Sequence, residues 1–290
     1  MRLLSAFALL LCALAAPPAA AQDGDDSVRR VVLVDGTVYV GTVEDAGADP
    51  VRMVTRDGVS REFAAVRVRE ITPLIGGRFF RTDPVGTRLL IAPTARTQGR
   101  GEFRGDVTAV YPSVTYGASD RVDLLGSGFI TFGDGLVATP LVGVKGQVVS
   151  RENLQVALGT SVVATIGGDG GGFGAIPYVV ATIGDATGAV HLGAAGAVGG
   201  GFGNGIDVAQ GVVLGLGADK QLNNGIKVFV EGYVGVDLSG DTDPGTGLLV
   251  VPGVRFFGER FAFDVVGFVA TDFDTVVGFA PLPIRASYRF

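Results

Sequence analysis

Ile284-Arg285-Ala286-Ser287-Tyr288-Arg289-Phe290 closes the chain with apolar side chains at every second position and an aromatic carboxy-terminus. Successive residues of a β-strand point to opposite faces, so these seven residues predict a strand with one greasy face and one polar face. A greasy face must be covered, either by a protein core or by lipid. The rest of the chain favours lipid, because alternating segments of roughly ten residues, punctuated by glycine, run upstream as they do in a membrane-spanning β-barrel.

Composition supports export and argues against helices. Met1 to Ala21 has the layout of a cleaved secretory signal: Arg2, then the apolar run Leu3 to Ala16, then Ala19-Ala20-Ala21 before Gln22. Leu11 is too large to precede a lipidated cysteine, so Cys12, the sole cysteine, leaves with the signal. The mature chain then has no disulfide to rely on. Hydrophobic residues make up 47% of the sequence, yet no uncharged apolar run in the mature part approaches the roughly 20 residues of a membrane helix. Glycine, at 47 positions, disfavours helices and suits tight turns and a crowded barrel wall. A secreted glycine-rich β-sandwich or solenoid would explain the alternation but not the aromatic terminus. The net charge of −6 is too mild to point to a partner, and an exported chain is not expected to bind nucleic acid.

Three regions follow the signal. Residues 28–75 carry more charge and less glycine, with Asp35-Gly36 and Asp57-Gly58 as hairpin turns between alternating valines. A small, strongly bent SH3-like or Sm-like β-barrel domain is expected there, on the periplasmic side, with its arginines and acids mixed along a solvated surface. Residues 76–86, with Gly76-Gly77 and Asp83-Pro84, form a linker. Residues 87–290 divide into about twelve strands, near 87–94, 103–117, 121–132, 136–149, 154–166, 173–184, 187–199, 207–218, 225–238, 246–257, 260–270 and 278–290. Short links at 117–120, 150–153, 185–188 and 258–259 are expected on the periplasmic side.

Alternation assigns the faces. Ile226, Val228, Val230, Val234 and Val236 share one side of their strand, and Lys227 and Glu231 the other. A charge on the lipid face near mid-membrane costs roughly 2–4 kcal/mol, so the polar set must line the lumen. The candidate lumen-lining residues are Arg121, Asp123, Lys227, Glu231, Arg255, Arg285 and Arg289. Pro112, Pro140, Pro177 and Pro252 recur at similar heights and are expected to mark bulges or kinks.

Catalytic signals are poor. His191 is the only histidine, which excludes histidine-built metal clusters, and its neighbours Val190 and Leu192 put it on the inner face. Gly167 to Gly172 and Gly199 to Gly203 lack the helix and lysine of a phosphate loop. Asp241 and Asp243 lack the later glutamate of a calcium loop, and with Asp274 are expected in outward links. No cofactor, metal or catalytic residue is expected.

Thr87 to Arg96, Tyr111-Pro-Ser-Val-Thr-Tyr-Gly117 with Asp120-Arg121, and Val254-Arg-Phe-Phe-Gly-Glu-Arg260 resemble a family of uncharacterised Gram-negative outer-membrane β-barrels. The likeness covers about residues 83–290. The terminal Ile284, Ala286, Tyr288 and Phe290 are similar to the closing-strand signal by which the barrel assembly machinery recognises such proteins. The expectation is an all-β chain: a transmembrane antiparallel β-barrel of about twelve strands preceded by the small domain, in contact with outer-membrane lipid. The function expected of such a barrel is a narrow, porin-like channel or small-ligand conduit of unknown solute. The alternatives are an anchoring barrel that presents 28–75 to a periplasmic protein or the cell wall, and third a lipid hydrolase.

Overall fold

The computed structural model describes residues 28–290 except 56, 76–77, 109–110, 133–135, 152, 167–170, 202–206, 238–247 and 272–275. The signal expected over 1–21 and the loop acids Asp241, Asp243 and Asp274 lie outside the described residues. The chain divides into two compact units, with the break between Thr82 and Asp83.

The first unit contains β1 (Val28–Leu33), β2 (Val38–Val43), β3 (Val51–Thr55), β4 (Ser60–Phe63), a 3-10 turn at Ala65–Arg67, β5 (Val68–Ile75) and the two-residue β6 (Arg78–Phe79). They form one antiparallel sheet in the order β4-β3-β2-β1-β5-β6. Gly36 and Gly58, at φ of 87° and 79°, make the two hairpin turns that follow aspartate. Val31, Leu33, Val43, Val51 and Met53 form its core, with Tyr39 and Phe63 packed against them.

The second unit is a closed barrel of twelve strands. They are β7 (Phe103–Thr108), β8 (Tyr111–Ser119), β9 (Val122–Phe132), β10 (Leu136–Arg151), β11 (Leu154–Thr165), β12 (Gly172–Gly184), β13 (Gly188–Gly201), β14 (Asp207–Asn223), β15 (Ile226–Asp237), β16 (Leu248–Phe257), β17 (Phe261–Thr271) and β18 (Val276–Arg289). Every neighbouring pair is antiparallel, and the ring closes where β18 pairs with β7 from Arg285↔Thr108 to Arg289↔Arg104. From β9 to β18 each strand has at least the 10 residues of β16, enough for a tilted crossing of a bilayer, which takes about 9–11. No helix among the described residues is long and apolar enough to cross a membrane.

The count of twelve agrees with the sequence, but two boundaries do not. Residues 87–94 are not a wall strand, and 103–117 is two strands rather than one. The run Leu89-Leu90-Ile91 resembles a buried strand, but it ends at Pro93 and finds its partners inside the ring. Pro112, Pro140, Pro177 and Pro252 do not shift the ladder: β12 and β13 run from Ala175↔Val198 to Tyr178↔Ala195 in unbroken register past Pro177. The register also resumes unchanged past Pro252, from Val250↔Val269 to Gly253↔Val266. The β17–β18 register, by contrast, slips by one across Pro283, between Asp264↔Arg285 and Val266↔Leu282.

Polarity is inverted relative to a soluble barrel. An exposed apolar residue sits beside a buried polar one in Leu124 and Asp123, Val144 and Lys145, Ile183 and Thr182, Leu192 and His191, Val265 and Asp264, and Tyr288 and Ser287. Since neighbours on a strand point oppositely, the outside is apolar and the inside polar. Val230 is buried rather than exposed, which nothing among the described residues explains. The short links at 120–121, 153, 185–187, 224–225 and 258–260 fall at the end of the ring that carries Phe103 and Phe290. A ladder with no free edge resists detergent. The refolded full chain should therefore run at different positions on a gel before and after boiling, and identical mobility would count against a closed ring.

Candidate functional site: a plugged, charged lumen

The interior is occupied by Asp83 to Glu102, the segment of the second unit that precedes β7. Only Gly101 and Glu102 at its end join the wall, at Gly117 of β8; up to Arg100 it pairs with no wall strand among the described residues. Instead it folds on itself, with Arg88 bridging Pro93 and Thr94 N–H donating to the Thr87 carbonyl at 2.9 Å, so that Leu89 to Ala92 form a tip. The described barrel strands supply inward side chains that hold this plug.

At its start, Asp83 meets Arg255 at 2.7 Å and Lys227 at 3.0 Å. Burial alone would raise the Asp83 carboxyl, but Arg255 and Lys227 outweigh it and hold the group well below the usual carboxylate range. Arg255 also reaches Asp264 at 2.8 Å and donates to the carbonyls of Val85 and Leu89. Arg285 pairs with Asp264 and donates to the Leu90 carbonyl at 3.2 Å. At the tip, the Glu231 carboxylate accepts the N–H groups of Leu90, Ile91 and Ala92 and the hydroxyl of Tyr233. Three consecutive backbone donors on one carboxylate make a small anion nest, filled by the wall's own glutamate.

The rest of the plug is fastened in the same manner. Lys145 pairs with Asp123 at 3.1 Å and donates to the carbonyls of Thr94 and Arg96, while Asp123 accepts the N–H of Gln98 at 2.9 Å. Arg88 and Arg104 both reach Asp106, at 2.9 and 3.1 Å. Thr182 Oγ1 accepts the N–H of Ala95 at 2.9 Å and lies 2.9 Å from His191 Nδ1, whose Nε2 lies 2.8 Å from Asp219. The order Thr, His, Asp is that of a hydrolase relay. Here the hydroxyl is fully buried beneath Ala95, so the relay clamps the plug.

Of the sequence candidates, Asp123, Lys227, Glu231, Arg255 and Arg285 are buried and point into the ring. Arg121 does not: it is exposed in the link after β8, because β9 begins one residue later than its alternation suggested. Arg289 sits at the rim, 3.8 Å from Glu102 and hydrogen-bonded to the Glu259 carbonyl. In the terminal signal, Ala286, Tyr288 and Phe290 are exposed, as the alternation implied, while the side chain of Ile284 lies outside the described residues. Sequence reasoning missed Asp83, Arg88, Arg104, Asp106 and Lys145. Arg104, Asp106 and Lys145 alternate with outward residues and were detectable. Asp83 and Arg88 have no periodicity to reveal them.

Gly117 shows how tightly the plug is seated. It exchanges backbone hydrogen bonds with Gly101 and Glu102, at 2.7 and 2.9 Å. A Cβ at Gly117 would overlap the Gly99 carbonyl, and Gly99 and Gly101 hold φ of 92° and 77°, open mainly to glycine. Gly117→Ala should therefore displace the plug's last turn at a cost of about 1–3 kcal/mol. Limited proteolysis should then cut within 83–102 while the barrel stays intact; an uncut segment would mean that the turn adapts.

Above the tip, away from the short-link end, a cavity of about 350 Å³ remains. Arg88, Ile91 and Pro93 form its floor, and Tyr111, Tyr178 and Tyr233 stand in its walls.

Fold and site together define a plugged β-barrel with a charged lumen. No family model matches the chain, and no curated protein sequence does. Among solved structures it superposes on the KdgM porin in complex with disordered oligogalacturonate, at TM-score 0.44 and 9% identity over 65% of this chain and 95% of that one. OmpT of Vibrio cholerae gives 0.38 and 11% over 91% and 94%, and OprD from Pseudomonas aeruginosa 0.36 and 11% over 88% and 79%. At these scores the superpositions transfer no residue roles.

Proposed function

We propose that the chain is an outer-membrane barrel of a Gram-negative cell and a narrow conduit for a small solute, closed in the described state by residues 83–102. The observation that carries this is the inverted polarity, since an apolar exterior calls for lipid and a charged interior for water. Lys227, Glu231, Arg255 and Arg285 then have two tasks: they hold the plug when it is seated and line the path when it is not. Single-channel recording of the refolded full chain should give small, infrequent currents. Steady porin-like currents would contradict a seated plug.

An anchoring barrel is the second function. It is favoured by the lumenal carboxylates Asp83, Asp106, Asp123, Asp219, Glu231 and Asp264, each of which meets a cation or a row of backbone donors, an arrangement suited to permanent closure. It predicts no current under any condition. In either case we propose export by a cleaved signal, insertion by the barrel assembly machinery, and a periplasmic unit over 28–75. The antiparallel run β1 to β4, the 3-10 turn and the return of β5 to β1 support an SH3-like or Sm-like fold for that unit. Its contact would be a periplasmic protein or the cell wall. A protease site placed at 76–77 should be cut only after the outer membrane is permeabilised, and cleavage in intact cells would invert the topology.

A further inference from the structure

The charges under the cavity are not evenly matched. Lys227, Arg255 and Arg285, with Arg96 at 3.9 Å from Asp219, face three carboxylates, Asp83, Asp219 and Asp264. Lys145 faces Asp123 alone. Arg88 and Arg104, by contrast, share the single carboxylate of Asp106. Both arginines line the cavity. The Arg88 Nη2 is taken by Asp106 and by Ser113 at 2.6 Å, while its Nε is buried without a hydrogen-bond partner. Arg104 is fully enclosed, whereas the Arg88 side chain keeps 14% of its surface open. The Glu231 carboxylate is turned into the backbone donors of the plug tip.

Above this cationic floor the walls are apolar or weakly polar. Leu125, Leu141 and Ile176 are interleaved with Tyr111, Ser127 and Ser161. A volume of about 350 Å³ is at the small end for a ligand site, room for one ring or a short branched chain rather than a sugar polymer. An excess guanidinium under an apolar chamber selects against cations and against large neutral solutes, because each would leave a buried charge unpaired.

We propose that this chamber binds a small monoanion with an apolar or aromatic body, its carboxylate seated on Arg88. The site rests on the conduit function and names its class of solute. A ligand there would touch the plug tip directly through Arg88 and Ile91, so its binding energy would bear on whether the plug stays seated.

The test uses the refolded full chain and benzoate as the probe, with neutral benzamide as its isostere, by calorimetric titration. Benzoate should bind about tenfold or more tightly than benzamide, the margin expected of a charge-assisted hydrogen bond. Arg88→Gln should erase that margin, and Arg88→Lys should restore part of it. Ala195→Phe, which fills the chamber from a wall residue that does not hold the plug, should abolish binding of both and covers the case in which Arg88 variants fail to fold. Equal affinity for the two compounds, or full benzoate binding by the Ala195→Phe protein, would overturn the proposal. Recording separates it from the conduit function. Benzoate binding in a protein that never conducts keeps the site and removes the conduit, whereas conduction with no benzoate binding does the reverse.

Discussion

Deleting residues 83–100, so that Thr82 joins Gly101, is expected to raise single-channel conductance by roughly an order of magnitude. Eight strands leave an interior that side chains fill and sixteen leave an aqueous channel, so a twelve-stranded ring is closed or open according to what lies inside it. Here the plug lies inside it. Its removal strips Asp83 from Arg255 and Lys227 and takes three backbone donors from Glu231. In a dry interior each stranded charge would cost about 3–5 kcal/mol, but water entering the emptied ring re-solvates them and limits the damage. The deleted protein should therefore still assemble, unfold at a lower temperature, and conduct. Unchanged conductance would show that residues 83–102 are not the obstruction.

The second large effect is on assembly. Tyr288 and Phe290 are 45% and 69% exposed on the outer face of the strand that closes the ring. Phe290 donates its N–H to the Phe103 carbonyl and packs on that ring at 5.4 Å, with Tyr288 edge-on to it at 4.9 Å. These aromatics fasten the last strand to the first, at the rim where aromatic girdles meet the membrane interface. Changing both to Asp should leave export intact and reduce correctly inserted protein by about tenfold or more, measured as the heat-modifiable fraction of the outer membrane. Arg285, on the opposite face, would keep its inward partners. Wild-type levels of inserted double mutant would mean that the terminal aromatics are not the signal.

A period-two pattern identified the barrel and most of the polar face, because alternation is a local property that follows from strand geometry alone. It separated Lys227 and Glu231 from Ile226 and Val228, put His191 inside, and placed the short links at one end. It failed where a residue stood at a boundary, as with Arg121, and where an apolar run had no period, as with Leu89 to Ala92.

The alternating residues of this chain were enough to specify a closed ring, its two faces and its aromatic seam, since each depends on neighbours one or two positions away. The plug required contacts that no local pattern encodes. Arg255 reaches Asp83 across 172 residues and Arg285 reaches Leu90 across 195. Asp83 to Glu102 takes its shape from charges and hydrogen bonds offered by the surrounding strands, not from its own propensities. Whether the lumen was open or filled therefore depended on the folded ring.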